Sequence, residues 1–271
     1  MPELPEVETV RRGITPLVED CRITGVVVRD RRLRWPVPRD LAKKLIGQKI
    51  HRVSRRAKYL LFALDHGTLI IHLGMSGRLW VVDSNQPAIK HDHVDIELDQ
   101  EKLLRFHDPR RFGAILWTTA DPESHKLLRQ LGPEPLSKEF TGVYLFEKTR
   151  GRKRRIRDVL LDSHVVAGIG NIYANEALFL AGIDPRRAAG RISRPRMDRL
   201  VTAIGEVLGA AIRAGGTTLR DFRGGDGRPG YFQQELAVYG RAGEPCPGCG
   251  TAINSAQLGG RSLFYCRHCQ T

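Results

Sequence analysis

The sequence predicts an α+β protein built from more than one domain, and three observations predict it. Short β-rich runs at close spacing fill the stretch from Ile23 to about Trp117. Helical periodicity replaces them from about Asp121 to Ala214, and the chain ends in two Cys-x-x-Cys pairs. Strands followed by helices, rather than alternating with them, put sheet and helix in separate domains. A chain of 271 residues has room for one or two such domains and a small appendage. The boundary between the β and α parts falls near 118–134, and the chain shows no internal repeat.

One helix precedes the strands. Pro5 suits a first helical turn, and Glu6 and Glu8 sit where the helix dipole favours negative charge. Val7, Val10, Arg11, Ile14 and Leu17 then follow helical spacing to about Val18. The runs Ile23–Val28, Tyr59–Leu64 and Thr68–Leu73 read as strands, separated by Asp-His-Gly and Gly-Met-Ser-Gly. Val94–Leu98 alternates apolar and acidic residues, with Lys102–Phe106 as its expected hairpin partner. Regular short strands predict a β-sandwich or barrel. In the second half, Asp121-Pro122-Glu123 reads as a helix start and Gly132-Pro133 as its end. Ser137 opens another helix, a third runs through Arg154 to Leu161, and Asn171–Leu180 is a fourth, before a break at Asp184-Pro185. Ser193 to Ala214 carries Met197, Leu200, Val201, Ile204, Val207, Leu208 and Ala211 on one face, an amphipathic helix. The glycine-rich stretch Gly224–Gly230 is a loop, read either as a plain connector or as a functional lid.

Charge narrows the partner. Lys and Arg number 44 against 30 Asp and Glu, a net charge of +14. The excess is spread along the chain and concentrated in runs, as on a surface that tracks a polyanion. No basic amphipathic helix or lipidation signal points to a membrane, no apolar run is long enough to span one, and the N-terminus is acidic where a signal segment would be basic. The expectation is a cytoplasmic protein whose partner is nucleic acid.

The tail reads as a metal module. Cys246-x2-Cys249, sixteen residues, and Cys266-x2-Cys269 match four-thiolate zinc spacing, with Gly248 and Gly250 relieving the turn backbone. Disulfides are the alternative, but a long cytosolic chain with an isolated fifth cysteine, Cys21, argues against them. Four protein ligands close the coordination sphere, so one structural zinc ion is expected, with no open position for catalysis. Cys21 reads as a core residue. Gly259-Gly260-Arg261-Ser262 reads as a turn between two strands with Arg261 at its tip, suited to a phosphate contact or simply to closing the chain end.

The start of the chain holds the most reactive candidate. A small second residue normally permits removal of the initiator methionine, which would leave Pro2 as a free secondary amine. An α-amino group has a reference pKa of about 8, against about 10.4 for lysine, so more of it is neutral and nucleophilic near pH 7. Such an amine can attack an aldehyde-like carbon and form an iminium, and Glu3 places a carboxyl group beside it. A disordered tail is the competing reading. A helix beginning at Pro5 weakens it.

With these pieces in place, the sequence closely resembles the bacterial formamidopyrimidine-DNA glycosylases. The resemblance covers nearly the whole chain. It rests on Pro-Glu-Leu-Pro-Glu-Val-Glu-Thr at the start, Arg56-Ala57-Lys58-Tyr59-Leu60, His72-Leu73-Gly74-Met75-Ser76-Gly77 and His91-Asp92-His93. Asp108-Pro109-Arg110-Arg111-Phe112-Gly113, Gly168-Ile169-Gly170-Asn171-Ile172-Tyr173, Gly216-Thr217-Thr218-Leu219 and the cysteine module continue it. The related endonuclease VIII group typically has Gly in place of Leu4, so Leu4 favours the formamidopyrimidine branch.

The resemblance implies an N-terminal β-sandwich catalytic domain over 1–120, with its N-terminal helix, and a linker at 121–134 that starts the helical region. A helix-two-turn-helix DNA-binding domain over 135–231 would follow, with a lesion-capping loop near 217–231, and then a four-cysteine zinc-finger hairpin over 237–271. It implies a monomer, nucleoid-associated when bound, acting on duplex DNA that contains oxidised purines or abasic sites. Oxidised purines, chiefly 8-oxoguanine and formamidopyrimidines, would be excised and the abasic strand then cleaved by β,δ-elimination. By resemblance Pro2 is the Schiff-base nucleophile, Glu3 the general acid/base, Lys58 the proton donor of β-elimination and Arg261 that of δ-elimination. His72, His91, Arg110, Arg152 and Asn171 match DNA-contacting positions, and Met75, Arg110 and Phe112 match the trio that fills the gap left by a flipped nucleotide.

Chemistry is consistent with these roles. An enzyme that works on a base atom must extrude the nucleotide, and something must fill the hole. An unbranched Met and a flat Phe are suitable wedges, although pattern alone reads Met75 and Phe112 as core residues. The chain has 34 Arg and 10 Lys, so a lysine at 58 is informative, because an amine of adjustable pKa suits proton transfer. The run from Lys148 to Arg157 holds seven basic residues, read as a DNA-backbone contact or as a solvated face. Two departures stand out. Arg157 follows Ile156 where the family usually has Lys, which would alter preference among lesions if that position reads the base, and Arg223–Gly230 matches the capping loop in outline only. An oxidised-pyrimidine glycosylase and a lesion-binding protein without turnover are the rival readings.

Overall fold

Leu4, Val7, Val10, Ile14 and Val18 recur at helical spacing, and they form the buried face of helix α1, Leu4–Val18. Val18 takes the inward position expected of Leu17, which lies on the flank and is 42% exposed. The computed structural model describes residues 2–216 and 236–271. Met1 and the glycine-rich loop expected near 217–231 lie outside the described residues. The chain divides into two compact units, Met1–Arg129 with Ala214–Gln233 and Gln130–Arg213 with Gln234–Thr271.

The first unit carries α1 and two four-stranded antiparallel sheets. One sheet orders β1 (Ile23–Val28), β6 (Asp92–Leu98), β7 (Lys102–His107) and β5 (Arg78–Asp83). The other orders β2 (Ile50–Arg56), β3 (Tyr59–Leu64), β4 (Gly67–His72) and β8 (Ala114–Thr118). A short helix α2, Leu41–Leu45, lies between β1 and β2. Val10 and Ile14 of α1, Phe62 and Ile71 of one sheet, and Ile96 and Phe106 of the other belong to a single core cluster. Each such buried side chain contributes about 1.5–3 kcal/mol. The expected hairpin of β6 with β7 is present, pairing Asp95 opposite Arg105. The polar positions of β6 are not solvated as alternation implies. Asp95 is buried and accepts both Arg105 Nε (2.9 Å) and Arg29 Nη2 (2.7 Å).

The second unit holds α3 (Gly142–Thr149), α4 (Ile156–Leu160), α5 (Asn171–Leu180), α6 (Arg194–Arg213) and the hairpin β9 (Asn254–Leu258) and β10 (Arg261–Tyr265). Helix α6 buries Met197, Leu200, Ala203, Ile204, Leu208 and Ala211 and packs against α3 and α5. Gly142 lets α3 approach it, since a Cβ there would stand 2.7 Å from Asp198 Cα. Two expected helices differ. The segment opened by Asp121 is only a 3-10 turn, Pro122–Ser124, although the Asp121 carboxylate does accept the Glu123 N–H at 3.0 Å. Among Leu127, Leu128 and Leu131 only Leu128 is buried, so no apolar stripe extends the turn. The helix expected from Ser137 begins at Gly142, capped by Thr141 Oγ1 accepting Tyr144 N–H at 3.1 Å.

Candidate active site and nucleic-acid interface

The first turn of α1 fixes the two N-terminal candidates. Pro2 and Glu3 are buried. Glu3 caps the helix in a reciprocal box: its carboxylate accepts the Glu6 N–H, and its own N–H donates to Glu6 Oε2 at 2.8 Å. Glu6 is fully buried, and Gly216 approaches so closely that a Cβ there would stand 3.2 Å from Glu6 Oε1. The Pro2–Glu3 pair is held by secondary structure.

A second device runs from α1 to the turn that carries Lys58. Ala57 and Lys58 form the two-residue connection between β2 and β3, where Arg56 pairs with Tyr59. Ala57 has a φ of 54°, a left-handed conformation that costs about 1–3 kcal/mol in a residue other than glycine. Arg55 Nη1 donates to the Ala57 carbonyl at 2.7 Å, and Arg55 Nε reaches Glu8 Oε2 at 3.3 Å. Glu8 also accepts from Arg11 (2.8 Å) and Arg12 (2.9 Å). Burial alone would raise the Glu8 carboxyl, but the Arg11 and Arg12 hydrogen bonds and the charges of Arg11 and Arg55 outweigh it and hold the group at about 2. A chain of contacts thus joins α1 to the Lys58 turn.

Across that turn lies His72, paired with Tyr59 in register, the two rings tilted at 47° with their centres 4.7 Å apart. Burial, with the nearby charges of Lys58 and Arg34, pushes His72 down to about 4. Its imidazole is therefore neutral at pH 7, and Nδ1 accepts the Gly74 N–H at 3.0 Å. That bond ties His72 to the loop that carries Met75.

The loops bearing Met75 and Phe112 come together. A Cβ on Gly74, whose φ is 65°, would stand 2.4 Å from the Phe112 carbonyl carbon. Met75 is 37% and Phe112 41% exposed, so neither is the core residue that pattern alone implies. The exposed Arg110 guanidinium lies 4.9 Å from the Phe112 ring centre. Beneath them sits Asp108, fully buried, which accepts Ser76 Oγ and the Gly113 N–H, each at 2.7 Å. Ser76 Oγ in turn accepts the Arg110 N–H at 3.2 Å. The Asp108 N–H donates to the His91 carbonyl at 3.1 Å, and the Asp108 carbonyl pairs with His93 Nε2 at 2.8 Å. His91, with a φ of 77°, is thus held on the same framework. Asp108 and Ser76 lie inside quoted motifs, yet nothing in their residue types assigns them this role. Glu8 and Arg55 gave no signal beyond helical acidity and general basicity.

In the second unit, six of the seven basic residues from Lys148 to Arg157, Arg152 among them, are exposed, and Arg157 is buried. Asn171 opens α5, with its side chain engaged within the unit: Oδ1 accepts Arg157 Nη1 at 3.2 Å and Nδ2 donates to the Ser262 carbonyl at 2.7 Å. Arg261 is exposed and follows the two-residue turn Gly259-Gly260, whose φ values of 58° and 73° suit a tight hairpin.

The four module cysteines place their sulfurs within 4.8 Å of one another. Cys246 and Cys269 sulfurs stand 3.8 Å apart, and Cys249 and Cys266 sulfurs 3.5 Å. A tetrahedral ion with bonds of about 2.3 Å puts its sulfurs about 3.8 Å apart, so the cluster fits zinc. Of the two knuckle glycines only Gly250 has a positive φ, 73°, while Gly248 donates its N–H to Cys246 Sγ at 3.4 Å. Cys21 is a buried core residue, as expected.

Comparison with known proteins agrees along the chain. Three family models match: the formamidopyrimidine-DNA glycosylase N-terminal domain over 1–115, the H2TH domain of the same glycosylases over 131–223, and a zinc finger found in FPG and IleRS over 243–271. The chain is 61% identical over 270 residues to a formamidopyrimidine-DNA glycosylase of Pseudomonas putida strain GB-1, and 59% to one of Pseudomonas aeruginosa strain LESB58, each match covering 100% of both chains. Among solved structures, it is similar to the MutM (Fpg) protein of Thermus thermophilus, with 41% identity, a TM-score of 0.89 and coverage of 99% and 98%. It is also similar to the Lactococcus lactis Fpg in complex with abasic-site DNA, with 34% identity, a TM-score of 0.92 and full coverage of both chains.

Proposed function

This chain belongs to the formamidopyrimidine-DNA glycosylase family, and from that membership we infer a DNA base-excision repair enzyme that removes oxidised purines from duplex DNA and then cleaves the abasic strand. Among the described residues no helix is long and apolar enough to cross a membrane. As an enzyme acting on duplex DNA, it works on the nucleoid, in the cytoplasm. The domain division is that of 1–120, 135–231 and 237–271, joined through 121–134.

The reaction starts at Pro2. With Met1 removed, its secondary amine attacks C1′ of the flipped nucleotide, the C1′–N bond to the oxidised base breaks, and an iminium forms. Glu3 serves as the acid/base beside that centre. Loss of a C2′ proton expels the 3′ phosphate and loss of a C4′ proton expels the 5′ phosphate, with Lys58 and Arg261 as the proton donors of the two eliminations. The product is a one-nucleotide gap. Met75, Arg110 and Phe112 occupy the space left by the extruded nucleotide, with the Arg110 guanidinium available to the orphaned base. His72, His91, Arg152 and Asn171 contact the DNA backbone. Zinc, held by Cys246, Cys249, Cys266 and Cys269, supplies only structural coordination, because four thiolates leave no open position.

The observation that carries this reading is the Pro2–Glu3 pair fixed by the capping box at the start of α1. Borohydride added during turnover of an 8-oxoguanine duplex tests it. A covalent protein–DNA adduct is expected, and tight binding without adduct or nicking would leave a lesion-binding protein instead.

A further inference from the structure

Arg157 stands where the resemblance leads one to expect lysine, and its surroundings give the arginine a distinct role. It is the second residue of α4 and only 2% exposed, unlike the exposed cations that precede it. Its guanidinium is spread over three partners. Nη1 donates to Asn171 Oδ1 at 3.2 Å, and Nη2 donates to the Leu258 carbonyl at 3.1 Å and pairs with Asp158 Oδ1 at 2.7 Å. Asn171 Nδ2 then donates to the Ser262 carbonyl at 2.7 Å.

Leu258 is the last residue of β9, and Ser262 is the second of β10. Arg157 and Asn171 therefore hold the hairpin on both sides of Gly259-Gly260-Arg261. Two consecutive glycines make the softest turn a chain can build, since each samples both signs of φ. Beyond the turn, Asn175 Oδ1 accepts the Phe264 N–H at 2.9 Å, so the strand is already anchored to α5 further along. What Arg157 adds is restraint at the tip. A lysine carries its three donors on one nitrogen and has no planar fork, so it cannot put one nitrogen on Asn171 and a second on Asp158 and the Leu258 carbonyl as Arg157 does.

We propose that Arg157 is a positioning residue that clamps the Gly259-Gly260 turn, and with it Arg261, rather than a residue that reads the damaged base. The proposal rests on the assignment of Arg261 to δ-elimination. Loss of the clamp slows the second elimination and leaves discrimination between lesions alone.

The test uses full-length Arg157→Lys and Arg157→Ala in single-turnover assays on matched 8-oxoguanine, formamidopyrimidine and abasic duplexes. In both variants the ratio of δ- to β-elimination rates should fall about tenfold, close to 1.4 kcal/mol. The ratio of excision rates between the two lesions should stay within about twofold. Asn171→Ala should reproduce the elimination defect, and the double variant should be less than additive because both residues hold one turn. Hydrogen exchange of amides 259–262 in folded Arg157→Lys should be faster than in the parent. An unchanged elimination ratio with parent-like exchange at the turn overturns the clamp, and so does a change of tenfold or more in lesion preference. Arg261→Ala separates the two assignments: if it leaves the second elimination intact, the role of Arg261 fails, while the exchange measurement still decides the clamp.

Discussion

Replacing Glu8 by Gln tests the contact chain from α1 to the Lys58 turn. The carboxylate is held at about 2 against an ordinary value of 4.5, by Arg11, Arg12 and Arg55 acting against its burial. A depression of that size corresponds to about 3 kcal/mol before screening, and the partly open surroundings of Arg12 reduce it to about 2 kcal/mol. The sign follows from the direction of the shift. A carboxyl whose pKa is lowered on folding stabilises the native state above the unfolded value, and the contribution is lost as pH falls from 4.5 through about 2. Urea titrations of the parent and Glu8→Gln should differ by about 2 kcal/mol at pH 7, and by about half that near pH 3. A second readout looks at Lys58. With Glu8 neutral, Arg55 loses its ionic anchor while still donating to Ala57, so β-elimination should slow by about threefold to tenfold with DNA affinity little changed. A stability difference that stays constant from pH 7 to pH 3 would refute the electrostatic account, and an unaffected elimination rate would refute the coupling to the turn.

Three further outcomes follow from the same geometry. Asp108→Asn keeps the shape but leaves one side-chain oxygen; with that oxygen on the Gly113 N–H, the new NH2 must donate to Ser76 Oγ, and both contacts lose their charged acceptor; the cost should be about 1.5–3 kcal/mol by denaturant titration, with lesion excision reduced more than abasic-strand cleavage. His72 has its pKa lowered on folding from 6.5 to about 4, so the unfolded chain binds its proton first and stability falls as pH drops through that window; His72→Gln should flatten this slope, removing up to about 3 kcal/mol of pH dependence, and an unchanged slope would show that His72 is not the group responsible. Chelation of zinc should disorder the hairpin, whose small core among the described residues gathers Val238, Ile253 and two of the zinc ligands, Cys246 and Cys266, because structural zinc contributes about 10–16 kcal/mol in small modules. Nicking should be lost while the sheet signal of the first unit persists in circular dichroism.

The parts of the fold that were legible in the sequence are those where local pattern and burial agree. Ile23–Val28, Tyr59–Leu64 and Asn171–Leu180 have the bounds their residues imply. The stretch after Asp121 misleads because a good cap and proline start a turn, but only one of the three leucines that follow is buried, and a helix without an apolar face does not propagate. Strand β2 was invisible because His51, Arg52, Arg55 and Arg56 give a sheet edge near α1 the composition of a basic loop. The candidate site divides in the same way. Lys58 is singled out by the family resemblance, whereas Pro2 and the four cysteines are visible by type and spacing. Residues that act through others are not: Asp108 serves two loops far apart in sequence, and Arg157 reaches a carbonyl 101 positions away. Only the fold brings such partners together.

If the Pro2 nitrogen is the attacking atom, the DNA adduct must sit on the chain's first residue. The borohydride-trapped adduct with an 8-oxoguanine duplex can be digested with nuclease and protease and the modified peptide identified by mass. The expected peptide begins at Pro2 and carries the reduced sugar remnant on its N-terminal nitrogen. A remnant on Lys58 or any other lysine, or active protein that retains Met1, would contradict it.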